Sequence, residues 1–375
     1  MKIAMVGPGY PYRGGLAQFN HLLYRYLSQR HQVLFLTFTR QYPRLFFPGK
    51  TQMDTSQSQS HPPTIRVLDS INPFSYWKTF KLLKHFQPDV VLFRYWMPFF
   101  APAFGSIAML VHHFLQAKTV FICDNIIPHE RRPGDFWLTR FAFRAVDGFV
   151  LLSGQVEKEL HLFRPEAPYI KLFHPVFNQF PPPVARTTAL KHLNLPAKPT
   201  LLFFGFIRKY KGMDILLRSL ALVKEEIDCQ LIIAGEFYDN SKEYLELIQN
   251  LNLSEIVHIF DRYIPDEEVP YFFSAADVVV LPYRSATQSG IVPVCYHYLK
   301  PVIATTVGGL PEVIKEGKTG YLVPPEDPHS LAKAIVHFFA HREQQPMDQW
   351  IEQARHQFSW EHFTEELEKF LNALK

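Results

Sequence analysis

Short apolar runs and amphipathic stretches alternate along almost the whole chain, and this alternation limits the fold more than any single motif. KIAMVG is apolar and ends in glycine; LAQFNHLLYRYLSQR then shows helical apolar spacing, and QVLFLTF reads as a strand. DVVLFRY, an apolar helix from Ala101 and TVFICDN repeat the scheme, as do GFVLLS and QVEKELHLF. Beyond residue 199 it restarts with TLLFFGF, the helical MDILLRSLALVKEE and QLIIAG, and it continues through VHIF, DVVVLPY, PVIATT and LAKAIVHFFAHR. Such alternation implies parallel strands joined by crossover helices. At 375 residues the chain exceeds what one compact core serves. The expectation is an α/β protein of two doubly wound domains of similar size, facing each other across a cleft.

Residues 174–200 carry six prolines and no apolar period, and they read as the interdomain link. The division expected is 1–180, 181–355 and a charged amphipathic helix over 356–375. Residues 48–63 are polar and aperiodic, which reads as an exposed loop.

Composition narrows the partners. A net charge of +4 gives no case for nucleic-acid binding, although it would suit an anionic substrate or membrane surface. MKIAMVGPGY reads without a secretory leader, and Cys123, Cys229 and Cys295 sit in apolar contexts without metal-ligand spacing. Both point to the reducing cytoplasm. The apolar run of 17 residues from Phe99 is short for a membrane span. It reads as a buried helix, with a helix lying in a membrane interface as the alternative.

The first strand ends in GPGYPYRGG. Gly7 and Gly9 open a dinucleotide fingerprint, but Tyr12 holds the third glycine position, and the second strand ends TFTR without an acid for a nicotinamide ribose. A nicotinamide oxidoreductase is therefore a secondary reading. Gly14-Gly15 precede a helix, where backbone N–H groups favour an anion or a ligand oxygen; a plain strand-to-helix turn is the alternative. In FFGFIRKYKGMDILL, Arg208 and Lys211 lie just before a helix, where they oppose its dipole. An arriving phosphate would neutralise them, Arg as a planar fork and Lys as a point charge; otherwise they are solvated loop cations. The uncharged ATQSGIVPVCYHYL follows a strand and opens a helix near Gln288–Ile291, with Ser289 as a cap and Gly290 admitting a ligand. Thr287 and Gln288 suit sugar hydroxyls.

Together GG before the first helix, GFIRKYKG, DVVVLPY, KPVIATTVGGLPEVI and EGKTGYLVPPEDP resemble the retaining glycosyltransferases of the GT-B fold, family four, also called group one. The resemblance implies an N-terminal acceptor domain and a C-terminal nucleotide-sugar domain, each Rossmann-like, with the last helix crossing back. It also implies metal-independent, cofactor-free transfer of a hexose-type sugar to a glycan or lipid-linked acceptor, as in polysaccharide assembly. Gly14, Gly15, Thr287, Gln288, Ser289, Gly290, Ile291 and Glu312 would bind the donor, while Arg208 and Lys211 would stabilise the leaving diphosphate. Asp124 and His129 would be catalytic, with Asn125 and Glu130 on the acceptor side. Two glutamates common in the family are replaced by Ala286 and Val294, although some relatives carry an ATQSG loop. An inactive sugar-nucleotide-binding subunit would also explain that loss.

Overall fold

All strand ladders among the described residues are parallel. The computed structural model describes residues 1–43, 51–54, 61–128 and 132–374. The predicted loop at 48–63 lies mostly outside that set, as do His129, Glu130 and Arg131.

The chain forms two compact units. The first takes the described residues up to Pro175 together with those from Ser359 onward; the second is Val176–Phe358. The first unit's strands are β1 (Lys2–Val6), β2 (Gln32–Arg40), β3 (Thr64–Asp69), β4 (Val90–Tyr95), β5 (Lys118–Cys123), β6 (Gly148–Leu151) and β7 (Tyr169–Lys171). They lie in the order β3-β2-β1-β4-β5-β6-β7, with Ile3 opposite Val33 on one side and Val90 on the other. The second unit has β8 (Thr200–Phe204), β9 (Gln230–Ala234), β10 (Val257–Phe260), β11 (Val278–Leu281), β12 (Val302–Thr305) and β13 (Gly320–Val323), ordered β10-β9-β8-β11-β12-β13. Each sheet is doubly wound, and its strand order reverses once, at β1/β4 and at β8/β11. Ligands of such sheets bind beyond the strand C-termini at the reversal.

Central strands are buried on both faces, as the apolar VVLFRY and VVVL require. The run from Phe99 takes the core reading. Its helix, Ala101–Phe114, buries Ala101, Ala103, Phe104, Ile107, Ala108 and Val111, and packs between the helices Pro73–Phe86 and Asp135–Ala142. No helix among the described residues is long and apolar enough to cross a membrane. All three cysteines are buried and free.

One feature exceeds what the sequence suggested. The proline-rich link contains a helix, Arg186–His192, too short to display a period. It buries Ala189 and Leu190, and Arg186 ties it to Asp277 (3.1 Å) and the Lys198 carbonyl (2.7 Å). The last helix, Trp360–Ala373, belongs to the first unit, where it packs on the helix Gly15–Leu27. Trp360 is fully buried there, edge-on to Phe19 and stacked on Tyr26.

Candidate functional site

In the second unit, the loops after β8 and β11 meet at the strand-order reversal. Gly205 follows β8 with φ +98, and a methyl group on it would lie 3.3 Å from Lys211 Nζ and 3.3 Å from Ile291 Cδ1. Lys211 and Ile291 therefore converge over this glycine. Lys211 is buried (8% exposed), and its Nζ stands 5.8 Å from the ring centre of Tyr283, just beyond β11. Burial, and then the nearby Arg208, pull the Lys211 pKa down to about 8. Arg208 is half-buried, its guanidinium 5.3 Å from the Tyr238 ring centre.

The turn Lys209–Lys211 that carries Lys211 is clamped from both sides. Arg284 Nη1 donates to the Lys209 carbonyl (2.8 Å), and its own N–H donates to that of Tyr210 (2.7 Å). The same guanidinium grips Asp214 with two bonds, at 2.8 and 2.7 Å, and reaches Glu326 at 2.9 Å. Across the turn, the Lys209 N–H donates to Asp239. Gly212, with φ +68, closes the turn where a methyl group would lie 1.9 Å from the Pro282 carbonyl oxygen. Lys211 is therefore held on a backbone that has little freedom to shift.

The uncharged segment after β11 is seated on the turn after β12. Gly309 donates its N–H to the Thr287 carbonyl (3.0 Å), and a methyl group on Gly308 would fall 1.6 Å from the Ala286 oxygen. Thr287 is buried, Gln288 and Ser289 are half-buried, and Gly290 is exposed with open space above its Cα. Ser289 Oγ accepts the Ile291 N–H at 3.2 Å and lies 3.4 Å from the Tyr283 hydroxyl. Burial pushes the Tyr283 phenol up, which keeps it a neutral hydrogen-bonding group. The helix that follows is short, Ile291–His297, and Val294 within it is buried, as is Ala286 before it. Glu312 lies in the first turn of Leu310–Val313.

The seat on Gly308 predicts a measurable contrast. Gly308→Ala should lower the melting temperature more than Gly317→Ala does. Both carry positive φ, costing an L-residue about 1–2 kcal/mol, but only Gly308 also meets a backbone atom. Equal losses would mean that the 286–287 segment moves freely.

In the first unit, Gly14 (φ +99) precedes the helix Gly15–Leu27 with nothing within 4 Å of a methyl group built on it. Asp124, at the end of β5, receives two 2.5 Å hydrogen bonds from Arg94 of β4. Both are buried, and the Arg94 guanidinium lies 3.6 Å over the Phe19 ring. His174 meets the same ring edge-on and donates Nδ1–H to the Pro175 carbonyl (2.8 Å). Burial and then Arg94 bring the His174 pKa down to about 3, so its ring is neutral. Asn125 begins a loop whose next two N–H groups, of Ile126 and Ile127, are both accepted by Glu159 (3.2 and 3.0 Å). Sequence reading missed Arg94, Asp214, Tyr283 and Arg284. Arg94 left a signal, a lone charge inside DVVLFRY; Asp214 and Arg284 have partners too distant in sequence to be seen, and Tyr283 lies inside the strand-end run DVVVLPY, where it reads as core.

Two doubly wound units of this strand order, joined by one link and a returning terminal helix, are the architecture of GT-B glycosyltransferases. Sucrose-phosphate synthase from Thermosynechococcus elongatus is 19% identical, with a TM-score of 0.73 over 100% of this chain and 99% of that one. Anabaena HepE in complex with UDP is 16% identical, with a TM-score of 0.77 over the whole of both chains. A family model for group 1 glycosyl transferases matches residues 198–341, and one for Glycosyltransferase Family 4 matches residues 13–174. The chain belongs to the group 1, family 4 glycosyltransferases. Among curated relatives, a D-inositol 3-phosphate glycosyltransferase of Streptomyces scabiei is 25% identical over 242 residues, 61% of this chain and 53% of that protein. The Spore coat protein SA of Bacillus subtilis is 31% identical over 160 residues, 40% of this chain and 42% of that protein. The chain thus spans about half the length of the curated relatives it matches.

Proposed function

We propose that the protein transfers a sugar from a nucleotide-sugar to a saccharide or lipid-linked acceptor, with retention of configuration and no metal or cofactor. The observation that carries this reading is the buried Lys211, held over Gly205 beside Arg208 at the β8/β11 reversal. A buried cation with no carboxylate partner among the described residues costs free energy that a bound diphosphate would offset. The same two cations would meet the charge that grows on the departing diphosphate, work that a divalent ion otherwise does. Thr287, Gln288, Ser289 and the open Gly290 would face donor phosphate and sugar, Ile291 would pack against it, and Glu312 would add a polar contact. Gly14-Gly15 would offer N–H groups at a helix start. Asp124, gripped by Arg94, would act as a fixed charge. HepE, of the same fold, is known with UDP and with UDP-glucose, which supports a nucleotide-sugar donor. Retention is part of the proposal, as what the resemblance to this family implies.

A panel of nucleotide-sugars tests the reading through slow donor hydrolysis, thermal stabilisation and the anomeric configuration of the product, each with and without chelator. Donor binding without turnover would instead support the inactive subunit that Ala286 and Val294 suggest. An inverted product would refute retention, and loss of turnover in chelator would refute metal independence.

A further inference from the structure

We propose that the outer face of the helix Pro73–Phe86, with Phe114 beside it, docks the protein on an anionic lipid surface. This helix follows β3 and was not among the elements legible in the sequence. Its inner side is conventional: Tyr76, Thr79, Phe80 and Leu83 are buried. Its outer side presents Phe74 (81% exposed) and Trp77 (48%), followed by the exposed Lys78, Lys81 and Lys84. Positions 74, 77, 78, 81 and 84 follow i, i+3, i+4 spacing, so they form one stripe about 15 Å long. The Phe80 ring lies 5.3 Å from Trp77 and 5.9 Å from Phe114, itself 63% exposed at the end of the neighbouring helix. The exposed Trp77 and Phe114 therefore flank the same buried ring, one from each helix.

The charge pattern selects the partner. The helix has no acidic residue, and residues 90–123, which include the neighbouring helix, have none either. The flanking carboxylates are engaged: Asp69 with Arg40 at 2.6 Å, and Asp89 with the Lys2 N–H at 2.8 Å. A protein partner would ordinarily be met by charges of both signs, and a saccharide would use the rings without a row of lysines. Rings that enter the headgroup layer, beside lysines that extend to lipid phosphates, fit a uniformly negative surface. Lys81 Nζ lies 6.0 Å from the Trp77 ring centre, which places cation and ring at one level. The helix is 14 residues long and would lie in the plane of the interface.

The test is sedimentation of the whole chain with phosphatidylcholine vesicles, with and without phosphatidylglycerol, at low and high salt. No donor or acceptor is added, so the result is independent of the proposed transfer activity. The wild type should bind only the anionic vesicles, and binding should fall with salt. Each lysine near the surface is worth about fivefold, so Lys78→Glu with Lys81→Glu should weaken partitioning by about a hundredfold or more. Phe74→Ser with Trp77→Ser should weaken it by about tenfold or more. Lys242→Glu with Lys318→Glu, the same charge change on exposed positions of the other unit, should leave it within about twofold. Melting curves verify that each variant folds. Absence of wild-type binding at low salt, equal binding to uncharged vesicles, retention by the Lys78/Lys81 variant, or equal loss in the Lys242/Lys318 variant would each overturn the proposal.

Discussion

Lys211→Ala is expected to lower kcat for sugar transfer by about a hundredfold or more, roughly 3 kcal/mol, while weakening binding of the free nucleoside diphosphate much less. Charge on the bridging oxygen grows as the sugar–phosphate bond breaks. A cation placed there gains more in the transition state than with bound donor. Arg208→Lys should also be impaired, because the charge remains but the fork is lost. The depressed pKa adds a second readout. Lys211 is cationic below about 8 in the free protein, so kcat/KM should fall as pH rises through that value. In Lys211→Ala this step should vanish. Bound diphosphate favours the ammonium form and should move the corresponding fall in kcat to higher pH. Steady-state kinetics, calorimetric binding and a melting curve measure all of this. A well-folded Lys211→Ala protein with kcat within about threefold and only KM altered would show uniform binding, against the proposed mechanism.

Arg94→Met should destabilise the first unit by about 3–5 kcal/mol, because it removes the two hydrogen bonds and the opposite charge that Arg94 gives the buried Asp124 carboxylate. Removing both charges should recover most of that: Arg94→Met with Asp124→Leu leaves an apolar pair among Phe19 and its neighbours. Denaturant unfolding of the two single variants and the double variant closes the cycle. The double variant also separates structure from chemistry. If it is folded yet inactive, the pair contributes to the reaction; if it is folded and active, the pair is scaffold. A single Arg94→Met loss below about 1 kcal/mol would mean that water reaches the carboxylate, contrary to its burial.

These two sites show what the sequence made legible. Alternating runs fixed the parallel sheets because a strand buried on both faces must be almost wholly apolar, as VVVL is. Arg208 and Lys211 stood out because two cations before a helix have no local reason to be there. Their clamp did not: Arg284 lies some seventy residues from Asp214, and only folding brings the two within 2.8 Å. The Asp124–Arg94 pair, thirty residues apart on adjacent strands, was hidden for the same reason. The helix Pro73–Phe86 failed differently. Its lysines and rings share the outer face, so hydrophobicity does not divide cleanly into an inner and an outer side.

The first unit is interrupted in sequence: 183 residues, Val176–Phe358, intervene before Ser359 rejoins it. A ribosome therefore finishes the second unit while the first still lacks Trp360 and the helix that covers Phe19. During that interval apolar surface on the helix Gly15–Leu27 stays uncovered, a window in which a nascent chain can be captured by a chaperone or associate wrongly. The unit that begins first is completed after the second, and its closure waits until the helix Trp360–Ala373 has left the ribosome.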